Sequence, residues 1–214
     1  MHSVEIREAR FGELSQAFAL RFKRYRELGW ITDADFPDGK ETDKYDAHSV
    51  HFVAIEGDCI KGYVRLILSG HGLLPMEEEF GQPLPEHLGI RDGEAFIPGE
   101  VSRFIVEKNG LPTHSVAQGL LQALIRHSTH CGVTHWYQAL DRLAFRLVKS
   151  WHFLFCEYAP RKFYMGSQTV PTVLPAQRFL DEMREYDCEK YRFFSRDIPA
   201  DQIVLEAQKA YHTC

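Results

Sequence analysis

No run of apolar residues in the sequence approaches the length that a membrane-crossing helix needs. Its opening, MHSVEIREARFG, has none of the apolar stretch of a secretory signal. A soluble, cytoplasmic protein without stable membrane insertion is therefore expected. Cysteine is scarce. Cys59, Cys131, Cys156, Cys188 and Cys214 are odd in number and never in CxxC spacing, which argues against a disulfide framework and a zinc site and predicts reduced, partly buried thiols. His127 and His130 lack a second ligand pair at metal spacing and read as exposed or capping histidines, so no metal is expected. There is no P-loop and no GxGxxG, and Ser102 is not in the GxSxG elbow of a serine hydrolase. An excess of positive charge is also missing: 25 Lys and Arg face 30 Asp and Glu, a net charge of -5, which speaks against a nucleic-acid partner. Finally, no Gly/Ser/Pro linker, repeat or low-complexity tract divides the chain, and residues 1–214 are expected to form one domain.

What is present is a 44% hydrophobic chain with an uneven charge distribution. Between residues 108 and 165, Lys108, Arg126, Arg142, Arg146, Lys149, Arg161 and Lys162 face only Asp141 and Glu157. This basic segment is either a face for an acidic partner or an ordinary solvated surface.

The order of elements alternates. FGELSQAFALRFKRYRELGW (11–30) places Leu14, Phe18, Tyr25 and Leu28 on one helical stripe. Arg21 falls on the same stripe, where it either lays its stem along apolar surface or serves a site. HFVAIEGDCIKGYVRLIL (51–68) reads as a hairpin around an EGD turn, with Tyr63, Arg65 and Ile67 on one face and Val64, Leu66 and Leu68 on the other. Residues 69–98 are rich in Gly, Pro and acids and form a long excursion with a short helix near PEHLG. GEVSRFIVEKNG (99–110) reads as a buried strand carrying Glu100, Ser102 and Arg103. Charges in such a place are costly unless paired or used. A helix over 114–132, a strand over 133–140, a short helix over 141–153 and a strand over 154–166 follow, with amphipathic segments at 176–194 and 200–212. The pattern is a mixed α/β (α+β) layer structure.

RFKRYRELGW, ETDKYD, GYVRL and GEVSRF, in that order, resemble the acyl-homoserine lactone synthases (autoinducer synthases) and the related long-chain N-acyl amino acid synthases. Both groups belong to the Gcn5-related N-acyltransferase (GNAT) superfamily. The resemblance is dense over residues 20–106. It implies a GNAT-like fold, with a central mixed, mostly antiparallel sheet flanked by helices, and it places Arg21, Tyr25, Trp30, Asp43, Asp46, Arg65, Glu100 and Arg103 around the active cleft. The lactone synthases usually have Phe where Tyr25 stands, and their spacing to Trp30 is one residue longer. Those positions help to hold S-adenosylmethionine in that group, so the departures bear on the substrate rather than the fold.

The implied chemistry fits the residue types. An amine attacking an acyl thioester must lose a proton, and Glu100 is the candidate base, grouped with Ser102 and Arg103 as catalytic; the alternative is that Glu100 pairs with Arg65. Arg103 is expected on the opposite pleat if the strand is regular. Arg21, Arg65 and Arg103 are candidates to bind an acceptor carboxylate. Asp43 and Asp46 orient them, receive the ammonium group, or form a plain surface pair. Tyr25 and Trp30 face a cation, line an acyl tunnel, or belong to the core. No close pair of glycines in EKNGLPTHSVAQG (107–119) offers a phosphate cradle at the next helix. The phosphopantetheine arm of an acyl carrier protein fits better than coenzyme A, with docking on Arg142, Arg146 and Lys149. The expected activity is acyl transfer from acyl carrier protein to the amine of an amino acid, without a bound cofactor. A lactone synthase using S-adenosylmethionine, or a non-catalytic acyl or carrier-protein binding module, are the alternatives.

Overall fold

The computed structural model describes residues 4–83, 88, 90, 95–107, 113–151, 153 and 155–198. Its strands are β1 (Val4–Glu8), β2 (Ser49–Glu56), β3 (Cys59–Leu68), β4 (Pro98–Val106), β5 (His135–Asp141), β6 (Cys156–Glu157), β7 (Lys162–Tyr164) and β8 (Ser167–Pro175). They form one sheet in the order β1-β2-β3-β4-β5-β8-β6, with β7 also on β8. Among the described residues only β4 and β5 pair in parallel, and the other pairings are antiparallel. The helices are α1 (Leu14–Glu27), α2 (Pro75–Phe80), α3 (Thr113–His130), α4 (Arg142–Ser150), α5 (Ala176–Tyr186) and α6 (Cys188–Phe194). The architecture is the expected GNAT-like one, a mostly antiparallel mixed sheet flanked by helices.

Alternation along the strands sorts residues between two faces. On one face, Phe52, Ala54, Val64 and Leu66 meet Val116, Leu120, Ala123 and Leu124 of α3. Gly62 makes that approach possible, because a Cβ there would stand 2.9 Å from Leu120 Cδ1. Leu120 is fully buried, and its truncation to Ala is expected to cost about 2–5 kcal/mol. Further along the same face, Trp136 and Leu174 pack with α5 and α6 in an aromatic cluster in which Phe153 meets Phe179 edge-on at 4.6 Å. On the other face, Val53, Tyr63 and Ile105 pack against Ala17, Leu20 and Tyr25 of α1. There too, Ile67, Tyr137 and Val173 lie under Leu74 and Met76 at α2.

Several elements depart from expectation. β1 was not foreseen; its Val4 and Ile6 pack on the α3 face. β8 was not foreseen either, since it contains Pro171 and ends at Pro175, and proline normally argues against an inner strand. It nevertheless pairs with β5 from Thr169 to Pro175, with Pro171 opposite Ala139. The single strand expected over 154–166 is two short ones, β6 and β7. The segment 176–194 is two helices broken at Asp187, whose extended backbone and carboxylate cap α6 by accepting the Lys190 N–H at 3.0 Å. The segment expected at 200–212, and the short helix near 85–89 apart from Leu88, lie outside the described residues. Cys59, Cys131, Cys156 and Cys188 are free thiols, but three of them, Cys59, Cys131 and Cys188, are exposed rather than partly buried, because they sit at strand or helix ends. Among the described residues no helix is long and apolar enough to cross a membrane.

Two irregularities shape the site. The β4–β5 ladder runs only from Pro98–His135 to Val101–Gln138. Beyond that, β4 stays on β3 and β5 stays on β8, so the two strands part. The notch lies at the carboxyl ends of a parallel pair, where α/β sheets hold ligands. In the β3–β4 register, Tyr63 faces Ile105 while Arg65 faces Ser102, so Val64 is opposed by two residues. Arg103 is the extra one, with φ 58. A bulge of this kind re-aims a side chain.

Candidate active site

The bulge overturns the expectation for Arg103. A regular strand would send it to the α3 face with Val101, but the structure turns it to the α1 face beside Ser102. There it joins Arg21 from α1 and Arg65 from β3 in a closed ionic cluster with Glu41, Asp43 and Asp46. Arg21 donates from Nε to Glu41 at 2.5 Å and from Nη1 to Asp46 at 2.6 Å. Arg65 donates to Asp43 at 2.6 and 2.9 Å, to Asp46 at 2.7 Å and from Nε to Ser102 Oγ at 3.0 Å. Arg103 donates to Glu41 at 2.9 and 3.3 Å and to Asp43 at 2.9 Å. Among the described residues, its remaining Nη1 meets only the thioether of Met165, at 3.1 Å.

The acids come from a tight turn after α1. Asp46 accepts the Asp43 N–H at 2.8 Å, and Asp43 accepts the Tyr45 N–H at 2.9 Å, so the turn fixes both carboxylates before they meet an arginine. Burial alone would raise Asp43, but the Arg65 hydrogen bonds and charge outweigh it and bring its pKa down to about 2. His51 supports the turn from β2, bonding Tyr63 Oη at 2.6 Å and the Asp46 carbonyl at 3.0 Å. Burial lowers its pKa, favouring neutral imidazole. Three cations and three carboxylates compensate one another, which is what makes a fully buried Arg21 and Arg65 tolerable.

Sequence reasoning missed Glu41. It stands in the ETDKYD motif, is 2% exposed, and bridges Arg21 and Arg103. The signal was the motif itself, whose first acid carried no assigned role. Tyr25 and Trp30 lie at the outer end of the cluster. Arg103 sits over the Tyr25 ring at 5.6 Å and Trp30 packs on Tyr25 at 5.2 Å. The two-residue turn between β7 and β8, Met165–Gly166, closes over them. A Cβ on Gly166 would come within 2.5 Å of Trp30.

Glu100 stands apart from this cluster. It is 3% exposed and, among the described residues, accepts one hydrogen bond, from the Met76 N–H of α2 at 2.8 Å. The ion pair with Arg65 weighed above is not formed, because the Arg65 guanidinium is engaged by Asp43 and Asp46. Burial pushes the Glu100 carboxyl up to about 8. Around it lie tyrosines that sequence reasoning also missed. Tyr137 is the register neighbour of Glu100 on β5 and stacks on Tyr158 at 5.8 Å. The Tyr158 hydroxyl donates to the Met76 carbonyl at 3.2 Å. Burial, with the Glu100 charge added, raises Tyr164 to about 12. The surroundings thus keep a carboxyl poised to take a proton near neutral pH beside a row of neutral phenols.

Arg142, Arg146 and Lys149 are elsewhere, exposed on α4, which Asp141 caps by accepting the Leu143 and Ala144 N–H groups at 2.7 and 2.8 Å. α4 begins where β5 ends, at the mouth of the β4–β5 notch.

A parted parallel strand pair, a bulge at the parting and a buried carboxyl on the central strand fit a GNAT-like fold, and a match to a family of acyl-transferring synthases makes the class an N-acyltransferase. The chain belongs to the FeeM family of N-acyl amino acid synthases, whose model matches residues 16–175. Its fold is similar to that of FeeM, an N-acyl amino acid synthase from uncultured soil microbes, with a TM-score of 0.63 at 16% identity over 85% of this chain and 95% of that one. It is similar also to the acyl-homoserine lactone synthase LasI, with a TM-score of 0.61 at 19% identity over 82% and 90% of the two chains. The coenzyme-A-dependent lactone synthase BjaI, solved with S-adenosylmethionine and isopentyl-CoA, gives a TM-score of 0.64 at 18% identity over 86% and 89%. At these identities the likeness speaks for the fold. No curated protein matches the sequence.

Proposed function

We propose that the chain transfers a long-chain acyl group from the phosphopantetheine arm of an acyl carrier protein to the amine of an amino acid. The observation that carries this reading is Glu100: a buried carboxyl on β4, raised to about 8 by its surroundings, where the amine must be deprotonated. The amine lone pair attacks the thioester carbonyl, a C–N bond forms and the C–S bond breaks. Glu100 takes the proton that the amine loses, and the released thiolate takes up one in return.

The remaining parts follow from the fold. From Ser102 to Val106 the side of β4 facing β5 has no ladder partner among the described residues, so its backbone groups suit the amides of a pantetheine arm laid between the strands. Among the described residues, each guanidinium nitrogen of Arg21 and Arg65 meets a carboxylate or hydroxyl, whereas Arg103 Nη1 faces the thioether of Met165. That edge gains most by taking the acceptor's carboxylate, while Arg21, Arg65, Glu41, Asp43, Asp46 and Ser102 hold the guanidinium in place. Tyr25 and Trp30 wall the same end. On α4, Arg142 and Arg146 make no ion pair among the described residues and Lys149 acts on Glu157 only through its charge, unlike the neighbouring Arg161, hydrogen-bonded to Glu157, and Lys162, paired with Glu79. Unpaired cations beside the notch suit an acidic carrier, and such a carrier and free thiols suit a cytoplasmic setting.

The test is mass analysis of lipids from an expressing bacterial culture, followed by assay of the purified chain with long-chain acyl carrier protein. Acyl amino acids support the proposal. Acyl-homoserine lactones formed with S-adenosylmethionine, or no new product, would overturn it.

A further inference from the structure

Arg103 presents its Nη1 edge to the Met165 thioether, while its Nε and Nη2 go to Glu41 and Asp43. The Tyr25 ring covers the guanidinium from one side. Only 11% of the Arg103 side chain is exposed, so a ligand that takes the Nη1 edge must first move Met165. Met165 is held there against its own backbone preference. Tyr164 and Ser167 are register partners, so Met165 and Gly166 form a two-residue hairpin turn, with φ 45 and φ 78. Turns with both central residues left-handed favour Asn, Asp or Gly in the first place. A longer side chain is strained there and persists where its surroundings fix it. Those surroundings are the Arg103 guanidinium and the apolar cluster around Tyr25 and Tyr63, against which Met165 packs.

The turn is lightly attached. Among the described residues β7 pairs only with β8, from Lys162–Thr169 to Tyr164–Ser167, and the ladder between β8 and β5 begins at Thr169. The tip therefore projects past the end of β5 as a two-stranded ribbon, which has little stability of its own. Its base is fixed, because Thr169 is buried and its hydroxyl is shared between the Tyr164 and Ser167 carbonyls at 3.2 and 3.3 Å. Its tip rests on side chains: Met165 on Arg103, Gly166 on Trp30, and the Tyr164 ring edge-on to Phe80 at 5.6 Å.

Chemistry favours exchange at this edge. A thioether is a weak hydrogen-bond acceptor, whereas a carboxylate makes charge-assisted contacts with a guanidinium. A carboxylate that arrives at Arg103 thus outcompetes Met165, and an unbranched methionine side chain has the freedom to withdraw.

We infer that the Met165 thioether is a removable plug on the acceptor clamp, and that the β7–β8 turn carrying it lifts when the carboxylate of the acceptor amino acid takes its place at Arg103. The inference rests on the amino acid acceptor proposed above. It makes Met165 a positioning residue for acceptor entry, and it accounts for a long side chain held in a glycine-like conformation beside the site.

The experiment compares the purified full chain with Met165→Ala, Met165→Leu and Met165→Glu. Free amino acids are supplied singly with long-chain acyl carrier protein, and the best wild-type acceptor is then used with all four proteins. Met165→Ala and Met165→Leu lack the sulfur, so KM for the acceptor is expected to fall roughly 3-fold to 10-fold, the scale of one weak hydrogen bond. Met165→Glu brings its own carboxylate to Arg103, so KM for the acceptor is expected to rise roughly 10-fold to 100-fold, the scale of a charge-assisted one. KM for the acyl carrier protein should stay the same in all three. A second readout needs no turnover: with carrier protein present but no acyl group, saturating acceptor should shift the tryptophan emission of the wild type as Trp30 loses the cover of Gly166, and Trp30→Phe should abolish the shift. Variants that all keep the wild-type KM for the acceptor, or an emission that the acceptor leaves unchanged, would overturn the inference and leave the acyltransferase reading intact. A wild type that acylates no amino acid would overturn both.

Discussion

Arg65 and Glu100 stand on neighbouring strands and on the same face of the sheet, yet they form no ion pair. Arg65 is held by Asp43, Asp46 and Ser102, and Glu100 by a single backbone N–H from Met76. The separation leaves one carboxyl unneutralised in the core. Its proton affinity is then set by burial rather than by a salt bridge, and this asymmetry between Glu100 and the compensated acids gives the site its predicted behaviour.

The pH dependence follows directly. Glu100 has a folded value of about 8 against an ordinary 4.5, so the folded protein holds an extra proton between those values. Its contribution to stability is present below about 4.5 and is lost as pH rises toward 8. The melting temperature of the wild type should therefore fall more steeply over that interval than that of Glu100→Gln, measured by calorimetry in matched buffers. Parallel slopes would contradict the raised value. Asp43, depressed to about 2 from 3.8, acts in the opposite sense: its contribution is present above about 4 and is lost as pH falls toward 2.

Glu41 should behave as a structural keystone of the arginines. Glu41→Gln leaves Arg21 and Arg103 short of a buried counter-charge, and breaking such a pair costs about 3–5 kcal/mol. A large drop in melting temperature is expected, whereas Glu27→Gln, an exposed i,i+3 partner of Arg24, should change stability by less than about 1 kcal/mol. Equal effects at the two positions would contradict the network.

Gly166→Ala tests the covering turn between β7 and β8. Gly166 has φ 78 and its hydrogen points at the Trp30 ring. The backbone alone costs about 1–2 kcal/mol for a residue with a Cβ, and the methyl also displaces Trp30. Lower stability together with a shift in tryptophan emission is expected; an unchanged spectrum would show that the turn does not rest on Trp30.

The proposed docking of a carrier protein on α4 is tested by charge reversal. Joint replacement of Arg142, Arg146 and Lys149 by Glu should raise KM for acyl carrier protein about 10-fold or more at low salt, with the gap narrowing as ionic strength rises. KM for the matching acyl-CoA should move little. Equal effects on both donors would remove the docking role of α4.

Much of this arrangement could be read from the residues. The face shared by Tyr63, Arg65 and Ile67 followed from alternation, and the ordered motifs pointed to the fold. The failures have local causes. β8 was hidden because a single sequence cannot show that Pro171 stands where the ladder to Ala139 tolerates it. The turn of Arg103 toward Arg65 depends on one extra residue in β4, and a bulge at a non-glycine residue leaves no composition mark. Glu41 lay inside a quoted motif, but its two arginine partners are 20 and 62 residues away. Tyr137 and Tyr158 reach Glu100 only through sheet order, which periodicity does not give.

The proposed role of Glu100 is tested most directly by measuring kcat, its pH profile and the melting temperature on one preparation of Glu100→Gln. A glutamine carbonyl accepts the Met76 N–H as the carboxyl does, and without a titrating group the variant should remain folded with a melting temperature at or above that of the wild type at neutral pH. Without the base, kcat should fall by roughly 100-fold to 10,000-fold, and the rise in activity toward pH 8 should disappear. A variant that turns over at the wild-type rate with the same pH profile would contradict the assignment of Glu100 as the base.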